Sequence, residues 1–490
     1  MTKSPQLPPI AKENKLIQAM RMGRGIWEFM EDNQAQFGDA FTVTLPGQGP
    51  MVWVSDPAMV KDIFALKPDQ YDASLVQIPM DIGEENTVFL NKKAHQDSRK
   101  LVIPPLNTNR LKARAGVMHE IVTEHIDSWS VGDEFDMPRL IGDITMDVIC
   151  YTVFNLRSGE KKERYKYLML NWLLSACSDT MFAIGSLYGA KKFRQRMNAA
   201  YVKRTERNDY GDGKKGFFPW KQPLDLKVQL AELMRQDIRE IREENDETRT
   251  DMFSILARAT YENSELLSEE RIISEAIGLL VGGHETSAAT SAWYSLWLLK
   301  NPNVVTKMRE EVMQSINEEG KFDPLKIAEL PYQSACLSES QRLTPSAVGM
   351  IRWLTEDTQI GSLYLPKGTA VLPCTYLTHR RKDIYGKDAN EYRPERWLGD
   401  KKFSPSEYFP FGGGRRACIG MNQARQQIRI IFAEFARRVE FDSIHATQTE
   451  WPVPRQIGGQ TEPDGGVKVR IKSIKPATEG YPQIQLSKSA

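Results

Sequence analysis

Apolar positions recur at helical spacing from about His95 to Gln314 and predict a dominantly helical stretch. Shorter runs precede it: strand-like segments at Ala40–Leu45 and Met51–Val54, then a helix from Asp56 to Leu66. A second β-rich passage is expected from about Val348 to Pro373, with turn signals at Gly361-Ser362 and Pro366-Lys367-Gly368. Towards the end, Val467, Val469 and Ile471 alternate with Lys468 and Arg470, the pattern of a strand with one wet face. The longest helix is expected from Ser268 to Leu299. Ser268 supplies the N-cap, Glu269 and Glu270 an acidic first turn, and Asn301-Pro302 the stop. Its first half is crowded with Ile272, Ile273, Ala276, Ile277, Leu279, Leu280 and Val281. Ser274 and Glu275 interrupt that run and Gly282-Gly283-His284-Glu285-Thr286 ends it, so it reads as a helix through the protein's centre and not a membrane span. The fold class is mainly α with a smaller β-rich region.

Composition narrows the picture. A length of 490 residues would suit roughly two to four domains, but no low-complexity linker marks a place to divide them. The net charge of +1 argues against nucleic acid as a general partner. Five scattered cysteines, Cys150, Cys177, Cys336, Cys374 and Cys418, offer neither a disulfide framework nor zinc spacing, and imply a reducing compartment. Residues 1–20 are polar, carry Pro5, Pro8 and Pro9, and read as a flexible segment with no signal peptide and no transmembrane anchor.

The segment from Phe411 to Gly420, Phe-Gly-Gly-Gly-Arg-Arg-Ala-Cys-Ile-Gly, carries the most chemistry. It sets Cys418 in a glycine-rich loop that opens onto an amphipathic helix, with Arg416 two residues earlier. Positive charge and a helix N-terminus favour an ionised sulfur, the state a thiolate ligand to haem iron needs. Such a ligand pushes electron density to iron and favours O–O cleavage. The alternative is a glycine turn around a buried structural cysteine. The stretch resembles the haem-binding loop of the cytochrome P450 family, Phe-x-x-Gly-x-Arg-x-Cys-x-Gly: Phe411, Gly414, Arg416, Cys418 and Gly420 fill its fixed positions, and Ala424 matches the small residue six places on.

That resemblance gives meaning to other blocks. Gly282-Gly283-His284-Glu285-Thr286 is similar to the family's motif over the haem; two glycines inside a helix cost about 1 kcal/mol each and leave a weak place in it. The resemblance implies Thr286 as the alcohol that steadies activated oxygen and Glu285 as a proton relay, with His284 structural or lining. Glu339-x-x-Arg342 places a carboxylate and a guanidinium on one helix face, and Arg396 in Tyr392–Trp397 is the expected third member of a buried ionic cluster. Propionate partners implied by the family are His95 and Arg99, in a His-x-x-x-Arg pattern, with Arg352 and Arg416. Phe411, Gly412, Gly420, Gly283 and Ala424 complete the residues expected against the cofactor. Gln427 stands where an acidic residue is frequent.

The resemblance covers about His95 to Arg470 and implies the family fold, with haem b (iron protoporphyrin IX) between the long central helix and the cysteine-loop helix. Residues 21–490 are then one haem domain. The implied activity is a monooxygenase using dioxygen to hydroxylate or otherwise oxidise a lipophilic small molecule, such as a terpenoid, a fatty acid or another natural product. No flavin or iron–sulfur motif is visible, so electrons are expected from a ferredoxin or flavodoxin with its NAD(P)H reductase, drawn to Arg415, Arg425 and Arg429. Pocket residues are expected at Ala276, Leu279, Gly282, Val348, Gly349 and Met350, with further lining from 75–80, 87–90 and 459–464. Residues 211–223 suit either a lid or a plain surface loop. A cytoplasmic, bacterial-type protein is expected. A peroxide-using or redox-independent haem-thiolate enzyme and a non-catalytic haem ligand-binding protein remain as alternatives, both disfavoured by Glu285-Thr286.

Overall fold

The computed structural model describes residues 4–75, 78–316, 322–444, 451–457 and 460–476. Seven helices bear on the site: α1 (Lys15–Arg24), α2 (Pro57–Ala65), α3 (Lys92–Val102), α4 (Met137–Phe154), α5 (Glu269–Lys300), α6 (Pro331–Leu343) and α7 (Met421–Arg438). A five-stranded sheet is built from β1 (Ala40–Val43), β2 (Met51–Val54), β3 (Tyr71–Asp72), β4 (Arg352–Leu354) and β5 (Ala370–Pro373) in the order β1-β2-β5-β4-β3. β2 pairs with β5 in parallel and the other neighbours pair antiparallel. The strand Lys468–Ile474 lies between Glu134–Asp136 and Val439–Ser443, with Val469 and Ile471 buried and Lys468 and Arg470 exposed, as the alternation predicts.

α5 runs through the helical layer, packed along α4, with Ile272, Ile273, Ala276, Ile277 and Leu280 in the largest hydrophobic cluster. Ser268 Oγ accepts from Arg271 N at 3.1 Å, the expected cap, and the helix continues through Gly282-Gly283 without a break. Among the described residues no single helix is long and apolar enough to cross a membrane. The boundary expected at residue 20 falls inside α1. Gln18 there is fully buried, donating to Glu13 O at 2.8 Å and accepting from Thr44 N at 3.0 Å, and Ile10 bridges Thr42. A polar, proline-containing sequence gave no hint of that anchorage; residues 1–3 lie outside the described ones.

Beneath the cysteine loop, α6 carries the ionic cluster. Glu339 and Arg342 are wholly buried and joined by two 2.8 Å bonds. Arg396 Nε reaches Glu339 Oε1 at 3.3 Å, and Trp397 Nε1 and Arg393 N donate to the same carboxylate at 2.9 and 3.1 Å. Arg342 also donates to the carbonyls of His379, Ala389 and Glu391, so one helix face holds the whole 379–397 segment. Glu339→Ala leaves the buried Arg342 guanidinium without its anion and Arg396 with Asp388 alone, a loss of about 3–5 kcal/mol. Thermal unfolding is expected to show a midpoint several degrees lower, and an unchanged midpoint would contradict this role.

Candidate active site around the cysteine loop

The cysteine loop is held by close backbone approach. Gly412 and Gly414 have φ of +67° and +65°, a conformation that favours glycine. A Cβ on Gly413 would collide with the Phe64 ring, and one on Gly414 with the Phe64 carbonyl, at the end of α2. Cys418 N donates to Phe411 O at 3.0 Å and closes the loop. The glycines are therefore needed for packing on Phe64, whereas at Gly420 a Cβ would make only ordinary contact with Cys418 Sγ.

Cys418 is exposed on one side although protein surrounds the sulfur on the others. Burial pushes its thiol pKa up, while the backbone N–H groups of Gly420 and Met421 and the charge of Arg99 pull it down. Burial wins, so arginine and helix terminus alone do not ionise the sulfur; a metal cation would complete the balance. Arg99 also donates to Ala417 O at 2.9 Å. Ala424 sits on the first turn of α7, its N–H bonded to Gly420 O.

Three guanidiniums and an imidazole meet on one flank. His95 is buried and its pKa falls to about 3, through burial and then the charges of Arg416, Arg99 and Arg352. Burial lowers Arg352 to about 10 and also lowers Arg416 and Arg99. Among the described residues none of the three arginines has a carboxylate at ion-pair distance, and Arg416 Nε has no partner. Arg416 donates to the carbonyls of Thr87, Val88 and Leu90, to Asn91 Oδ1 and to the Tyr71 side chain, all uncharged groups, and Arg352 makes long contacts to Met350 O and Ile351 O. Buried guanidiniums without an anion are the complement of a dianionic group such as the two propionates of haem b. Tyr71, absent from the sequence reading, belongs here: it is buried, with the Arg352 and Arg416 guanidiniums 5.3 and 5.7 Å from its ring. The register that pairs Tyr71 with Leu354 puts it on the face of Arg352, and no local motif signals that.

On α5, a Cβ at Gly282 would meet nothing within 4 Å, and the residue is exposed although it lies in mid-helix. Gly283 faces Ile149 of α4. Glu285 and Thr286 are half-buried beside this opening, and Thr286 Oγ1 donates to Gly282 O at 2.5 Å. The charge of Glu285 contributes to raising the pKa of Glu462, which burial raises most.

The structure corrects several pocket expectations. Ala276 is fully buried, because residues 82–87 lie directly on α5: Asn86 Nδ2 donates to Ser274 O, Ser274 Oγ to Ile82 O, and Thr87 N and Oγ1 to Glu275 Oε1. Glu275, expected only as an interruption, anchors that loop and pairs with Arg271 at 2.8 Å. Val348 is buried in the core of the sheet, while Gly349 and Met350 line a small cavity with Gly412 and Phe64. Leu279 is partly buried. Pro223 belongs to the helix Lys221–Glu244, and Phe217 projects into solvent at 94% exposure, so neither covers an opening. Arg415 is exposed, Arg425 lies over the Phe411 ring at 5.0 Å, and Arg429 is turned inward to Ala328 O. Residues 76, 77 and 459 lie outside the described ones.

A sequence profile described as Cytochrome P450 matches residues 5–469. The chain is a cytochrome P450. Its relatives include the proteins named cytochrome P450 135B1 and 138 of Mycobacterium tuberculosis. The first is 27% identical over 477 residues, covering 97% of this chain and 93% of the relative; the second is 23% identical, covering 90% and 91%. A solved retinoic acid-bound cyanobacterial CYP120A1 shares the fold at a TM-score of 0.74 and 20% identity, over 96% of this chain and 100% of that one. As a cytochrome P450 the chain is a haem-thiolate monooxygenase that binds haem b through a cysteine thiolate and uses dioxygen and a redox partner.

If Arg352 and Arg416 hold the propionates, replacing either by leucine removes a charge-assisted bond worth about 1.5–3 kcal/mol. Each variant is expected to release haem to an acceptor apoprotein on the order of ten- to a hundredfold more readily. Release at the parental rate would remove that residue from the propionate site.

Proposed function

We propose that this cytochrome P450 hydroxylates or otherwise oxidises a lipophilic small molecule, with Cys418 as the thiolate that would hold the haem iron and residues 21–490 as one haem domain. Arg99, Arg352, Arg416 and neutral His95 would hold the propionates; Phe411, Gly412, Gly420, Gly283 and Ala424 would stand against the macrocycle. Haem iron, when bound, supplies the reductive activation of dioxygen. The chain's own residues supply the rest. The observation that carries this reading is the opening at Gly282, flanked by the Thr286 hydroxyl and the Glu285 carboxylate on the same helix. Thr286 donates a hydrogen bond into that opening once released from Gly282 O, and the Glu285 carboxylate beside it would relay protons. Leu279, Gly349 and Met350 contribute apolar or backbone surface. CYP120A1 is a retinoic acid-bound structure, in keeping with a lipophilic terpenoid or fatty acid here. The electron donor in this reading is a ferredoxin or flavodoxin with its NAD(P)H reductase, in the cytoplasm, and exposed Arg415 offers it a cationic contact.

Turnover of lipophilic compounds with a ferredoxin, its reductase and NADPH, beside turnover with hydrogen peroxide alone, tests the reading. Product from the first system is expected; product from peroxide alone would favour the redox-independent alternative. Thr286→Ala is expected to bind substrate as the parent does, yet to form product about a hundredfold more slowly and release peroxide. Undiminished product would remove Thr286 from proton handling.

A further inference from the structure

Behind the opening at Gly282, α5 carries a second polar stripe. His284, Ser287, Ser291 and Ser295 follow one another at intervals of three and four residues and so share a face. All four are buried, His284 at 9% exposure. The imidazole packs on α4 where Gly142 leaves room for it: a Cβ there would stand 3.4 Å from His284 Nε2. From α7, Gln427 Nε2 donates to Ser287 Oγ at 2.8 Å.

Too few partners are present for these groups. Neither ring nitrogen of His284 has a hydrogen-bond partner among the described residues, nor has Ser291 Oγ or Gln427 Oε1. Each buried polar atom left so costs about 1–3 kcal/mol, and native proteins satisfy such atoms with ordered water where protein groups fall short. His284 Nδ1 lies 3.5 Å from Glu285 Oε1, close enough to tighten into a hydrogen bond with a small ring movement.

We infer that the space between α4, α5 and α7 around His284, Ser291 and Gln427 binds ordered water, and that His284, steadied by this water, positions the Glu285 carboxylate. The donors and acceptors balance. A neutral imidazole that donates Nδ1–H to Glu285 must accept at Nε2. A water can donate one O–H to Nε2 and the other to Gln427 Oε1, while accepting from the Ser291 hydroxyl. An aspartate or glutamate at 427 would bring a buried charge to this water; glutamine brings only an acceptor. His284 is a positioning residue: it acts through Glu285, so the inference rests on the reading of Glu285 as the proton-holding acid.

The test uses the haem-loaded protein and a substrate that it turns over, and reads the fraction of NADPH electrons recovered in product. His284→Leu is expected to lower that fraction about two- to tenfold, the worth of one hydrogen bond, with a matching rise in peroxide and an unchanged carbon monoxide spectrum. His284→Asn, whose amide nitrogen stands near the place of Nδ1, is expected to recover most of the loss. Gln427→Leu, which touches neither Glu285 nor substrate, is expected to lower the fraction in the same direction and keeps the test open if the leucine variant at 284 does not fold. Parental coupling in both leucine variants would overturn the inference, as would an asparagine variant as poor as His284→Leu. Glu285→Gln is made in parallel. Parental coupling there would sink the reading of Glu285 itself, whereas a loss there with none at His284 would sink only the role of His284. A high-resolution structure of the parent is expected to show water bonded to Nε2, and a dry contact there would contradict the proposal.

Discussion

The backbone of the cysteine loop lies so close to Phe64 that only glycine fits at 413 and 414, and this approach determines where Cys418 stands. The consequences spread outward. Phe64 sits at the end of α2, whose start is capped by Asp56 directly after β2. The loop is thereby referenced to the sheet that also presents Tyr71 and Arg352. On its other side the loop runs into α7, so the sulfur receives the N–H groups of Gly420 and Met421. The segment leading into the loop is fixed by the buried Glu339 carboxylate and its two arginines. A displacement at any of these three supports moves the sulfur relative to α5 and to the arginine flank together.

Charge balance is the second constraint. Burying the Arg352 and Arg416 guanidiniums, with half-buried Arg99 beside them and no carboxylate at ion-pair distance, is costly in a folded chain unless an anion arrives. Burial drives His95 to the neutral form, so the cationic charge of this flank rests on the arginines. The Cys418 sulfur has the opposite need, since burial holds its thiol protonated until a cation is supplied. A macrocycle with two propionates and an iron centre would answer both needs at once, so its binding and the ordering of the site would belong together.

What was legible in the sequence is what short spacing encodes. The cysteine loop, the Glu339-x-x-Arg342 pair and the Gly282–Thr286 block each lie within ten residues, short enough for their resemblance to family motifs to be seen in the sequence. The helix from Glu269 to Lys300 was legible through its cap and stop. Tyr71 and Glu275 were not. Tyr71 meets Arg352 only through strand register, and Glu275 meets Thr87 across 188 residues of chain, a contact no local pattern announces. Ala276 and Val348 were expected in the pocket from the family resemblance, which places the segment that carries a residue without showing which neighbour covers it. The anchorage of α1 was hidden for a similar reason: Gln18 is polar in sequence but buried, its amide bonded to the backbone.

Cys418 as the thiolate that binds haem iron is the claim on which the rest stands. The most direct test is the absorption spectrum of the reduced, purified protein under carbon monoxide, beside a Cys418→Ala variant. The account predicts the red-shifted Soret band of a thiolate-bound haem in the parent and its loss in the variant. A parent without that band, or a variant that keeps it, would mean that another residue binds the iron, and the account of the site would fall.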